Sequence, residues 1–245
     1  MSAAQSPNGR QPREVEVVKA SFPFRGLWLV QNSPARRVPS HGSEIFGERY
    51  AIDFVGVDDR HHSATIRDWR TLLSSEPPDR FVGFGRRILA PVPGVVAALH
   101  DGESDHPARR SQLALIRYAF GQASRMRQGL GAIAGNYVII SQARGSHVAL
   151  VHLKAGSIRV SVGQEVAEGE HLGDCGNSGN STEPHVHMQA MDRADPTSAS
   201  GLPLLFSRFR EWQSGASGFV DRELAVPAEG SIIEPLPIGP LAAFS

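Results

Sequence analysis

Apolar and polar residues alternate in short runs along most of the chain, and Gly, Pro, Ser and Asn punctuate the runs. Period-two alternation over four to eight residues marks strands that bury one face. Such pieces recur within residues 14–30 (Val15, Val17 and Val18, then Phe22, Phe24, Leu27 and Leu29). Residues 31–47, rich in Ser, Pro, Arg and Gly, read as a loop. Residues 50–55 read as a short apolar strand interrupted by one acid, Asp53. Residues 88–99 predict a strand pair, and residues 136–140 and 148–152 predict a hairpin around 142–146. Residues 158–162 and 185–191 alternate cleanly and predict two more strands. Gly163, Gly169, Gly173, Gly176 and Gly179 predict tight turns between them.

Two polar segments interrupt this pattern. Residues 58–87 carry Ile66, Trp69, Leu72 and Leu73 at helical spacing, with Pro77 and Pro78 as a stop. Residues 101–135 carry Leu113, Ile116, Tyr118 and Phe120, which fit a helix or a strand equally well. Residues 1–13 read as a disordered leader and 14–224 as one domain holding both insertions. Residues 225–245 read as a Pro-rich tail extended over the surface, and 201–212 are ambiguous. The fold class expected is mainly β: an antiparallel sheet with two helical or irregular insertions.

Composition narrows the function. With 25 Lys+Arg against 25 Asp+Glu the formal net charge is zero, so no electrostatic case exists for a nucleic-acid partner. No run approaches the roughly 18 apolar residues of a membrane span. The polar N-terminus lacks the apolar core of a secretion signal, so the expected location is cytoplasmic by default. Cys175 is the one cysteine, which excludes an intrachain disulfide and a cysteine-rich metal cluster.

Chemistry concentrates in the histidines. His185 and His187 stand at i and i+2 of a predicted strand and project from one face, about 6.5–7 Å apart. Val186 then points into the core. Two adjacent imidazoles are costly to bury unless they bind metal, hydrogen-bond or face a wet cleft; otherwise they are a solvated pair. His152 closes a strongly apolar strand, as either a satisfied core residue or a third member of the group. Asp53, in an apolar strand, needs a cation, a metal or several donors to stay ionised, and an arginine would serve as well. A catalytic zinc site takes three N or O ligands and leaves a fourth position for water. An imidazole nearby can take and return the water's proton. Spacing does not say which of His185 and His187 would bind metal. His61, His62, His100, His106, His147 and His171 fall in predicted loops or insertions.

Several blocks resemble the lysostaphin-type zinc endopeptidases, which cut peptide bonds in bacterial peptidoglycan. They are Ala90-Pro-Val-Pro-Gly-Val-Val96, Gly135-Asn-Tyr-Val-Ile-Ile140, Val151-His-Leu153, the run from Gly156 to Gly169, and Gly176-Asn-Ser-Gly-Asn-Ser-Thr-Glu-Pro-His-Val-His187. The resemblance covers residues 39–192. It implies an antiparallel sheet folded into a groove with Zn2+ at its floor. His41, Asp53 and His187 would be the ligands, His185 the general base and His152 the second catalytic histidine. It also implies a substrate of peptidoglycan cross-links or short glycine-containing peptides, and action at the cell wall. The family's first motif has three residues between histidine and aspartate, whereas Asp53 lies twelve positions after His41; some relatives share the long spacing. Asn177, Ser178, Asn180, Ser181 and Thr182 could hold the spare ring nitrogens, or form a plain turn.

Two other functions compete. One is a non-catalytic peptidoglycan-binding or regulatory module on the same fold, in which ligand positions are typically lost; here all five are filled. The other is a carrier domain, suggested by residues 161–169, which would need a lysine at a hairpin tip. Lys154, the only lysine after Lys19, lies just past His152 instead.

Overall fold

A computed structural model describes residues 16–64, 76–108, 130–213 and 218–237. The helical pattern at Ile66, Trp69, Leu72 and Leu73, the segment holding Leu113, Ile116, Tyr118 and Phe120, and residues 1–13 lie outside the described residues.

In chain order the strands are β1 (Val18–Ala20), β2 (Trp28–Gln31), β3 (Ile52–Gly56), β4 (Arg87–Leu89), β5 (Gly94–His100), β6 (Asn136–Ser141), β7 (His147–Leu153) and β8 (Glu165–Val166). They continue as β9 (His171–Asp174), β10 (Val186–Met191), β11 (Gly201–Leu202), β12 (Leu204–Phe206), β13 (Phe209–Trp212), β14 (Val220–Arg222) and β15 (Ile232–Pro235). Among the described residues one helix, α1 (Leu130–Ala134), precedes β6, and short 3-10 turns occupy Ile45–Tyr50. The main sheet runs β14-β13-β15-β2-β3-β10-β7-β6-β5-β8, with β11 paired to β10, and every pairing in it is antiparallel. The chain is therefore mainly β, as its alternation predicts. Two small pairs flank it, β1 with β12 in parallel and β4 with β9 antiparallel.

The two faces of the central strands differ in kind. On one, Phe22, Phe24, Trp28, Phe54, Phe206 and Phe209 pack with Ile52, Leu150, Val186 and Met188 into the large core. Phe22 stacks on Phe206 with ring centres 4.5 Å apart, and Phe24 on Trp28 at 4.2 Å. The opposite face carries Asp53 of β3, His187, Gln189 and Met191 of β10, and Ala149 and Val151 of β7. The strict period of two sorts these side chains. Burial of the aromatic set holds the register, because a one-residue slip would bring every side chain to the wrong face.

One residue breaks that parity. Val148 and Leu150 point into the large core, so His152 should follow them. Instead β6 and β7 lose step: Val138 pairs with Leu150, but Asn136 pairs with Leu153. One residue of β6, Tyr137, thus stands opposite two of β7, Val151 and His152. This β-bulge puts His152 at φ 64° and re-aims its side chain to the Asp53 face, while Leu153 takes the core position.

Three expectations need correction. Residues 158–161 alternate in burial but form no strand. Arg159 N–H donates to the Leu172 carbonyl at 2.9 Å, and Val160 is buried without a ladder of backbone bonds. Gly173 lies within β9 and Gly176 at a close crossing with Lys154, so neither makes a tight turn; Gly163, Gly169 and Gly179 do have positive φ. The C-terminal segment is not confined to the surface. Ile232 and Ile233 are buried, and β15 sits between β13 and β2.

Gly135 (φ 63°) and Gly179 (φ 68°) touch backbone to backbone where the loop before β10 crosses the start of β6. A methyl on Gly179 would fall under 3.0 Å from Gly135 and from the Ile133 carbonyl. Gly179→Ala should therefore destabilise the protein by about 2–4 kcal/mol, from a left-handed backbone and a forced main-chain shift together. Urea unfolding checks this; a loss under about 1 kcal/mol would mean that the crossing is loose.

Candidate metal centre

Asp53 and His187 are direct cross-strand partners on β3 and β10, and so share a face by register alone. His187 Nδ1 lies 2.9 Å from Asp53 Oδ1. Its other ring nitrogen donates to Gln189 Oε1 at 2.9 Å. The amide of Gln189 is oriented in turn, because its Nε2 donates to the Phe46 carbonyl at 2.7 Å. With both ring nitrogens donating, His187 is an imidazolium in the metal-free site, and loss of the Nδ1 hydrogen would bare a lone pair on the side of Asp53.

His41 comes from the loop between β2 and the 3-10 turns. Its Nε2 is 3.1 Å from Asp53 Oδ2, and its Nδ1 is 3.0 Å from the Ser40 hydroxyl. Asn32, just past β2 at φ 51°, donates to the same Oδ2 at 2.8 Å. Ligand-type atoms of His41, Asp53 and His187 all lie within 4.8 Å of one another, and they form the one such group of three or more among the described residues. Among the described residues Asp53 pairs with Asn32 and these histidines and with no arginine.

The other two predicted histidines face the same cleft. His185 Nδ1 donates to the Glu183 carbonyl at 2.8 Å, beside the Ser181 hydroxyl at 3.0 Å. Its Nε2 approaches Asp53 Oδ1 at 3.7 Å. His152 Nδ1 donates to the Ser178 carbonyl at 2.9 Å, and its ring centre lies 4.8 Å from that of His185. Carbonyls accept only, so both rings carry hydrogen on Nδ1 and leave Nε2 with a lone pair. Of the polar turn, Ser181 uses its side chain on a histidine, whereas Ser178 uses its backbone and turns its hydroxyl to the Leu153 carbonyl at 2.7 Å.

Burial raises a carboxyl pKa and lowers an imidazole's, and nearby charges add to or oppose that. At Asp53 burial pushes upward, but His185, His187 and His41 together outweigh it and hold the carboxyl well below the usual range. At His187 burial pushes downward, yet the hydrogen bond and charge of Asp53 raise it to about 9. His152 moves the other way: burial first, then the neighbouring His185 and His187, hold it well below the ordinary imidazole value. The centre is thus an ionised carboxylate among imidazoles of opposed tendencies. It lies in a cleft of about 390 Å³ bordered by Asn32, Phe46, Ile133, Asn180 and Thr182.

Residues 118–199 match peptidase family M23. Over that segment the chain is similar to M23 peptidases. A stretch of 76 residues, 30% of this chain, is 38% identical to the peptidoglycan DD-endopeptidase ShyA of Vibrio cholerae and spans 17% of that protein. Among solved structures, similar ones include the catalytic domain of lysostaphin from Staphylococcus simulans, at 17% identity and a TM-score of 0.36 over 64% of this chain and 78% of that one. Another is pseudoalterin, an M23 metalloprotease from the deep sea, at 14% identity and a TM-score of 0.42 over 84% and 91%. The segment matched to the M23 family holds His152, His185 and His187 but begins after His41 and Asp53. Those two join the centre through the geometry described above.

Three residues of the centre escaped the sequence reading: Asn32, Phe46 and Gln189. Gln189 had a signal, since it shares the face of His185 and His187 at the next alternate position. Asn32 sits in a loop and Phe46 in the 3-10 turns, and nothing in their spacing ties them to Asp53 or Gln189. Both have positive φ, as does His152. Non-glycine residues in this region are uncommon, and strain of this kind gathers at functional sites.

In metal-stripped protein these shifts set a stability profile. His187, raised above its unfolded value, stabilises fully below about pH 6.5, and that contribution is lost as pH rises through about 9. His152, depressed, binds its proton more readily unfolded, so stability falls as pH drops below about 6.5. Asp53 adds stability that fades only in stronger acid, as pH falls through its depressed value. Chemical denaturation after chelation should therefore show a maximum near pH 6.5, declining on both sides, and His187→Gln should remove the alkaline decline. A monotonic profile would contradict the assignment.

Proposed function

We propose that the chain is a zinc-dependent peptidase in which His41, Asp53 and His187 hold the metal, with His185 as general base and His152 as its partner. One observation carries this reading: three donor side chains converge within 4.8 Å while two further imidazoles face the same cleft. Two nitrogens and one carboxylate oxygen are a donor set that zinc accepts, and three protein ligands leave a position for water or substrate. His187 suits the role because Gln189 Oε1 holds the hydrogen on its far nitrogen, as a carboxylate or backbone carbonyl does for most metal-binding imidazoles. Zinc held there supplies a Lewis acid that polarises a peptide carbonyl and acidifies water.

The remaining chemistry belongs to the chain. His185 presents Nε2 on the Asp53 side of the cleft and removes a proton from the attacking water. The water oxygen bonds to the carbonyl carbon, the C–N bond breaks, and His185 returns the proton to the leaving amine. His152, neutral because burial depresses its pKa, orients the water by accepting a hydrogen bond at Nε2. Peptide cross-links of peptidoglycan are the proposed substrate. The identity shared with the Vibrio cholerae peptidoglycan DD-endopeptidase supports this class, as does a cleft within the size range of binding sites.

Metal analysis and digestion of purified muropeptides, with products identified by mass, test the proposal. The expected outcome is one zinc per chain and cleavage by the loaded protein. His187→Ala should lose the metal; one zinc still bound to that variant would refute the ligand set. His185→Ala should keep zinc and lose about 10²–10⁴ of the rate. Gln189→Ala should weaken zinc binding about 10–100-fold, with activity recovered at higher zinc. Loaded protein that binds muropeptides without cutting them would indicate a binding module.

A further inference from the structure

Beside the metal centre the cleft runs into a narrow hollow on the same face of the sheet. Its wall includes Ala134, Ile139, Ala149 and Val151, a buried cluster separate from the large core, with half-buried Tyr137 packed against it. The hollow opens into the cleft, because Phe46, Glu48, Ile133, His152 and His187 border both. Its origin is visible in the register. Ala149 lies between Ile139 of β6 and Gln189 of β10. A lone methyl between two longer side chains leaves a depression in the sheet surface.

The hollow has a volume of about 50 Å³. That is about a third of the roughly 150 Å³ cavity that takes a benzene ring, so a few carbons fit and a ring does not. Apart from the histidines, Gln189, Glu48 and the Tyr137 hydroxyl, the lining side chains are hydrocarbon. An apolar cavity holds water poorly and favours an apolar guest. Glycine would leave this space empty, and a phenyl ring exceeds it.

We infer that the hollow is a side-chain subsite for a small aliphatic residue, alanine to leucine in size, next to the bond that is cut. The inference deepens the peptidase reading and rests on it for the reaction. It directs the enzyme away from glycine–glycine bonds toward peptides that carry a branched or short alkyl side chain beside the scissile amide.

Two measurements separate its failure from failure of the reaction itself. First, competitive binding to the zinc-loaded chain ranks hydroxamates of glycine, alanine, valine, leucine and phenylalanine without any catalysis. Affinity should rise about fourfold per added carbon until the hollow is full, then fall at phenylalanine. Second, peptides that differ only at the residue on one or the other side of the cleaved bond should show the same order in kcat/KM. Ala149→Leu should flatten the order by filling the hollow while zinc binding persists, and Tyr137→Ala should move the optimum to larger side chains. An order that is flat, led by glycine, or absent because no hydroxamate binds would overturn the inference. Ranked binding with no cleavage of any peptide would leave the subsite standing and remove the peptidase.

Discussion

The site depends on one opposition: a buried carboxylate on β3 standing directly across from an imidazole on β10. Everything nearby answers the cost of keeping Asp53 ionised at 5% exposure. Asn32 donates to one oxygen, His41 approaches the same oxygen, and His187 and His185 face the other. The opposition holds only while the strands stay in register. That register is enforced from the far face, where Phe54 and Val186 are cross-strand neighbours inside the aromatic core. The hydrophobic packing of one side of the sheet thus sets the electrostatics of the other.

Much of this was legible in the chain. Alternation placed His185 and His187 on one face with Val186 behind them, and a lone acid among apolar residues marked Asp53. What escaped the sequence needed knowledge of partners. His152 has the parity of Val148 and Leu150, so simple alternation sends it into the core; only an extra residue in β7 relative to β6 turns it out. Residues 158–161 have the alternation of a strand but lack a neighbour to pair with along their length. The segment 232–235 looks too proline-bounded for a sheet, yet it pairs on both sides. Periodicity reports which side of a residue is buried; it is silent on bulges and on which backbone supplies the hydrogen bonds.

The described start of the second insertion, residues 101–108, is tied to the loop that serves the histidines. Asp105 accepts from the Asn177 N–H at 2.6 Å, and His106 Nε2 donates to the Gly179 carbonyl at 2.8 Å. Asn177 Nδ2 reaches the His106 carbonyl at 2.6 Å. Between those anchors lies Ser178, whose carbonyl holds His152. Asp101 adds bonds from Gly156 and Ile158 at 2.7 and 3.2 Å. A polar stretch that reads as an interruption of the fold acts as a clamp on the loop that orients one imidazole.

The position of β15 has a consequence for how the molecule comes together. Among the described residues β13 and β14 join the main sheet only through β15, and β2 has β15 as its outer neighbour. During synthesis the sheet cannot be completed until residues 232–235 leave the ribosome. Until then β2 is an open edge, with unpaired amides and carbonyls able to recruit a strand from another chain. A chain cut before Ile232 would keep all five histidine and aspartate positions of the centre and still expose that edge, so its defect would be self-association before it was loss of chemistry.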